Sequence, residues 1–89
     1  MRAVITVIGK DTVGILAKVS NICASYNANI IEVTQSVLQE LFCMIMLVDI
    51  SKLNTEYASL SSSLSELGKD LDISVHIMHE DIFNSMHRI

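Results

Sequence analysis

The chain has 89 residues, enough for one domain, and a formal net charge of −4 with six Lys and Arg residues. Those six are scattered at Arg2, Lys10, Lys18, Lys52, Lys69 and Arg88, so no basic stripe exists to neutralise phosphates, which argues against nucleic-acid binding. No apolar stretch reaches the roughly 18 residues of a membrane span, and no signal peptide is read ahead of the first strand-like run. Apolar residues make up 51% of the chain, yet two are Phe, two are Tyr and none is Trp, so the core must be built from Ile, Val, Leu and Met. A chain this short buries about 60–70% of the surface its unfolded form exposes. That leaves a thin stability margin and a reason to pair with a second copy. Cys23 and Cys43 lie in apolar stretches and read as buried thiols, which suits a reducing cytoplasm.

Residues 2–8 are β-branched and apolar on both faces, as in a central strand. Gly9-Lys10-Asp11-Thr12 breaks the run. Apolar residues then recur at Leu16, Val19, Cys23 and Tyr26, one face of a helix over about 13–26, which Asn27-Ala28-Asn29 ends. Residues 30–38 alternate: Ile31, Val33 and Val37 point one way, and Glu32, Thr34 and Ser36 the other. Gln39-Glu40 is read as a tight hairpin turn. Residues 41–50 form an almost unbroken apolar strand. A second helix is expected over about 54–67, with Leu53, Tyr57, Leu60, Leu64 and Leu67 inward and Gly68 as its C-terminal cap. The serines of residues 59–65 make its polar outer face. Residues 73–79 make a fourth strand, and 81–88 a short terminal helix with Ile82, Phe83 and Met86 inward.

This order predicts an α/β (α+β) ferredoxin-like βαββαβ fold, a four-stranded antiparallel sheet with two helices on one face. The whole of residues 1–89 is read as a single domain with its core over about 2–79. With the hairpin at Gln39-Glu40, Val33 lies opposite Met46, and Ile31, Val33, Met44, Met46 and Val48 share the helix side. Cys43, Ile45 and Leu47 then fall on the open side, with Val4, Thr6, Ile8 and the His76 and Met78 side of the last strand. An uncovered face is ordinarily polar, and an apolar one marks an interface. A homodimer contact through Cys43, Ile45 and Leu47 is the expectation. The alternative is that the C-terminal helix folds back over part of the face.

The most specific stretch is Gly9-Lys10-Asp11-Thr12-Val13-Gly14-Ile15-Leu16, followed by Asn27-Ala28-Asn29-Ile30. It resembles the ACT domain, whose first loop reads Gly-Lys/Arg-Asp-x-x-Gly-Ile/Leu/Val and whose second strand opens with Asn-Ile. The resemblance covers about residues 2–79 and is strongest to stand-alone bacterial ACT proteins similar to the regulator of the glycine-cleavage operon. It implies a non-catalytic regulatory module that binds a small ligand, an amino acid, at the interface of a homodimer, and that acts on a partner enzyme or regulator. The implied ligand site joins Asp11, Gly14 and Ile15 of one subunit to Asn29 and Ile30 of the other. The serine-binding pattern of the family differs, because it offers a His and an Asn where this chain has Gly9 and Asp11.

The residues themselves allow such a site. A Gly inside a helix costs about 1 kcal/mol relative to Ala, which makes sense where something approaches the backbone closely. A helix start suits a carboxylate, Asp11 suits an ammonium group, and the Asn29 amide suits either end of an amino acid. Plainer roles stay open beside these. Asp11 or Thr12 is a good helix N-cap, Gly14 lets helix and strand approach, and Asn27 and Asn29 fit a turn.

Other chemistry finds little support. His76 and His79 are three apart in a strand and face opposite sides, so no metal site is assigned. No Cys-x-x-Cys occurs, the central strands lack the aromatics that stack RNA bases, and no triad, phosphate loop or cofactor motif is visible. The rival to the ligand-binding reading is a protein–protein interaction module without a small-molecule ligand.

Overall fold

The β-branched run at the N-terminus and the apolar run after Glu40 form the two central strands of one sheet. The computed structural model describes residues 1–10 and 14–86. The elements are β1 (Arg2–Lys10), α1 (Ile15–Ser25), β2 (Asn29–Leu38), β3 (Leu41–Asp49), α2 (Tyr57–Leu71), β4 (Ser74–His79) and α3 (Glu80–Met86). The strands are all antiparallel, in the order β2-β3-β1-β4. This is the ferredoxin-like arrangement that the order of elements predicts. None of the described helices is long and apolar enough to cross a membrane.

Strand alternation divides the sheet into two faces. Ala3, Ile5 and Val7 of β1 and Met44, Met46 and Val48 of β3 are buried in one cluster with Ile15, Val19 and Cys23 of α1 and Leu60 and Leu64 of α2. The hairpin turns at Gln39-Glu40, with Gln39 in the left-handed region at φ 57°, and Val33 pairs with Met46 as the pattern predicts.

Four local expectations are corrected. Ile31 does not reach the helix side: the register shifts between Ile30 and Glu32, so Ile30 pairs with Val48 and Ile31 is the bulged residue, 47% exposed. Leu16 is exposed, and Ile15 takes its place on the buried stripe of α1. Gly68 does not cap α2. It lies buried inside the helix, which runs on to Leu71 and closes at Asp72 with φ 56°. A Cβ on Gly68 would lie 2.7 Å from the Ile73 carbonyl oxygen, so the glycine serves the close approach of α2 to the start of β4. In α3, Phe83 is half-buried while Ile82 and Met86 stay exposed.

Candidate functional site

Gly14 stands ahead of α1 at φ 83° rather than within its first turn. A Cβ there would meet no described atom within 4 Å, so helix–strand packing does not call for the glycine. The left-handed backbone does. The close approach belongs to Gly9, where a Cβ would lie 2.7 Å from Cβ of Ile73. Asp11 and Thr12, the ammonium partner and the caps of the sequence reading, lie outside the described residues. The Lys18 N–H makes the first helical hydrogen bond, to the Gly14 carbonyl at 2.9 Å. Among the described residues no side chain caps the helix, and no acidic residue stands in its first turn. The N–H groups of the first turn have no partner within a helix, and the dipole is positive there, so this end of α1 favours an anion such as a carboxylate.

The other end of α1 is closed by a Schellman motif. The Ala28 N–H bonds the Cys23 carbonyl at 2.8 Å, the Asn27 N–H bonds the Ala24 carbonyl at 3.2 Å, and Asn27 takes φ 60°. The Asn27 side chain donates to the Lys52 carbonyl at 2.7 Å, and Asn54 donates to the Ser25 carbonyl at 2.9 Å. Asn27 is thus committed to the turn. Asn29, by contrast, is exposed at the start of β2, and Ile30 beside it packs partly on the core. Ser20, Ala24, Asn27, Ala28, Asn29 and Ile30 line an open groove of about 430 Å³ between α1 and β2. Ser20 and Ala24 escape sequence reasoning because nothing in a small residue on a helix signals a groove wall.

The four described residues of the expected ligand site therefore fall into two pairs. Gly14 and Ile15 are at the start of α1, and Asn29 and Ile30 follow its end. Ten further residues of α1 follow Ile15 before the turn to Asn29, about 15 Å along the axis at 1.5 Å per residue. One small ligand cannot touch both pairs of the same chain.

The sheet face away from α1 and α2 carries the second group of expected residues. Its register rows read Glu32, Leu47, Val4, Met78; then Thr34, Ile45, Thr6, His76; then Ser36, Cys43, Ile8, Ser74. Apart from Thr6, the central strands thus supply apolar residues and the edges mostly polar ones. Ile8 is 49% and Ile45 43% exposed, while Cys43 and Leu47 are half-buried. His76 and His79 lie on opposite faces, and His79 stacks on Tyr57 with ring centroids 5.2 Å apart. His87, the third histidine of the chain, lies outside the described residues. Burial pushes the Cys23 thiol up from 9.0 to about 11, so it stays protonated and unreactive. The Ser51 backbone N–H, 2.8 Å from the Asp49 carboxylate, holds that group below its ordinary range.

Comparison with known proteins agrees with this architecture. The family model described as the ACT domain matches residues 2–78. A UPF0237 protein of Listeria monocytogenes is 47% identical over 89 residues, the full length of both chains. Among solved structures, an ACT domain protein from Streptococcus pneumoniae superposes with a TM-score of 0.79 at 35% identity, over 93% of each chain. A putative glycine cleavage system transcriptional repressor matches in fold, with a TM-score of 0.75 at 23% identity over 86% of this chain and 44% of that one.

Proposed function

The chain belongs to the ACT domain family, and from that premise we propose that it is a non-catalytic regulatory module that binds an amino acid across a homodimer interface. The observation that carries the reading is the division of the site by α1. Gly14 and Ile15 lie at one end of the helix, and Asn29 and Ile30 beyond the other. Two copies related by a two-fold axis, with their α1 helices side by side and antiparallel, bring each pair against its counterpart from the other copy. The anion-favouring helix start of one subunit then faces the Asn29 amide of its partner. A ligand carboxylate goes to the former, and Asp11 takes the ammonium group.

The surface beside α1 suits such pairing. β2 is an edge strand with backbone groups free to pair. Ile31 and Val37 on it are 47% and 56% exposed, and Leu16 on α1 is 38% exposed. Occupancy bridges the subunits, and its effect on a partner enzyme or regulator follows from a difference in ligand affinity between the two states of the dimer. The reading sets the protein in the cytoplasm, where the free thiols Cys23 and Cys43 remain reduced.

A thermal-shift screen against the twenty amino acids, with light scattering on the same sample, tests this. A ligand at 100 times its Kd adds about 2.7 kcal/mol, several degrees for so small a domain. Asp11→Ala and Asn29→Ala should each abolish the shift and leave a folded dimer. An unchanged ligand response in both variants would sink the proposal.

A second reading has its own support in the apolar open face. Under it the chain is an interaction module without a small ligand, and Cys43, Ile45 and Leu47 meet a protein partner. It predicts no amino-acid shift at all, and loss of partner binding with Ile45→Asp or Leu47→Asp.

A further inference from the structure

Val4 faces away from α1 and α2 and stands outside the main core cluster, yet it is 3% exposed. Ile8, four residues on along the same face, is 49% exposed. Arg2, two residues before Val4 and on the same face by strand alternation, holds Glu80 at the start of α3. That helix turns back from the end of β4 and packs against β1 and β4. Its hold is slight. None of its seven residues is buried, and Phe83 is its one half-buried apolar side chain. The Arg2 guanidinium pairs with Glu80 through bonds of 2.8 and 3.1 Å at a solvent-exposed position. A two-turn helix is not stable by itself and stays folded only while docked, and an exposed ion pair adds little.

We propose that α3 is a displaceable cap on the open sheet face, and that its release lets a second copy of this chain stack on that face. The proposal rests on reading Cys43, Ile45 and Leu47 as an interface. Sheets packed face to face lie about 10 Å apart, and a helix with its side chains is itself about 10 Å thick. A docked α3 and a stacked sheet therefore exclude each other at the Val4 corner.

Area and charge single out a second copy as the occupant. Strands about 4.8 Å apart and nine, ten, nine and six residues long present roughly 540 Å² in projection. That approaches the roughly 800 Å² per partner of a standard interface only when the corner is open. The chain carries a net charge of −4, yet the three central register rows contain one carboxylate, Glu32, at the β2 margin. Two acidic molecules meet there with little repulsion, apolar centre to apolar centre and polar rim to polar rim.

The test uses the full chain. Phe83→Ala and Arg2→Glu are compared with the parent by hydrogen exchange of residues 80–86 and by sedimentation over a concentration series. The readout is the association step beyond the edge-paired dimer, or beyond the monomer where that dimer does not form, so the two readings fail separately. Phe83→Ala should speed exchange in α3 and tighten the association by about fivefold or more, and Arg2→Glu should move both the same way by up to about fivefold. Arg2→Glu with Glu80→Arg should restore the parent behaviour, and Ile45→Asp added to Phe83→Ala should remove the gain. Faster exchange with unchanged association, or unchanged exchange, overturns the cap. A gain that survives Ile45→Asp overturns the open face as its site.

Discussion

Gly9 on β1 and Ile73 at the approach to β4 pack so closely that a Cβ on Gly9 would lie 2.7 Å from Ile73 Cβ and 3.1 Å from its Cα. The neighbour to be displaced is the branched root of a side chain, which has little freedom to move. Gly9→Ala should therefore cost about 1–3 kcal/mol, the usual range for overpacking, and lower Tm by several degrees. Pairing it with Ile73→Ala should recover part of the loss. A thermal melt of the two single variants and the double variant checks this.

Asn27 combines a left-handed backbone with a side-chain bond to the Lys52 carbonyl. Asn27→Ala loses both and should destabilise by about 1–2 kcal/mol. Asn27→Gly keeps the backbone freedom and loses only the bond, so it should cost clearly less. Equal losses in denaturant unfolding would show that the side-chain bond, rather than the φ angle, is what matters.

The Cys23 thiol stays neutral in the fold up to about pH 11, whereas the unfolded chain releases the proton near 9.0. Above pH 9 the unfolded state binds fewer protons, so folding stability falls as pH rises from about 9 to about 11. The loss from this group is up to about 1.4 kcal/mol per pH unit, and it is absent below pH 9. Melts of the parent and Cys23→Ala over that window should differ in slope. In the native protein a thiol reagent should modify the half-buried Cys43 first and reach Cys23 only on unfolding.

Val37 is 56% exposed on the edge strand β2, where the proposed dimer pairs. Val37→Lys puts a charge on that edge and should weaken the dimer about tenfold or more, a change of about 1.4 kcal/mol, without altering the monomer fold. Sedimentation equilibrium with circular dichroism measures both. An unchanged dimer would move the pairing off this edge.

The broad plan was legible in the sequence because periodicity reports burial. The alternation around Val33 and the apolar run at Met44 and Met46 set the hairpin register, and the spacing of Val19 and Cys23 set the inner face of α1. The departures from that plan have separate physical causes. Glycines look alike in a sequence, yet Gly14 answers a left-handed φ, Gly68 a close helix–strand approach and Gly9 the side chain of Ile73. Ile31 keeps perfect alternation on paper and leaves the core because one extra residue enters the ladder.

By itself, then, the sequence determined the order of elements, the composition of the core and the motif that links the chain to its family. These depend on neighbours within a turn or a strand. The tertiary structure decided which residues of that motif can act together. The length of α1 holds Gly14 and Ile15 apart from Asn29 and Ile30, a separation set by a rigid element and not by nearness in the chain. It also decided how much of the apolar sheet face is free, because α3 packs back against β1, a contact between distant parts of the chain.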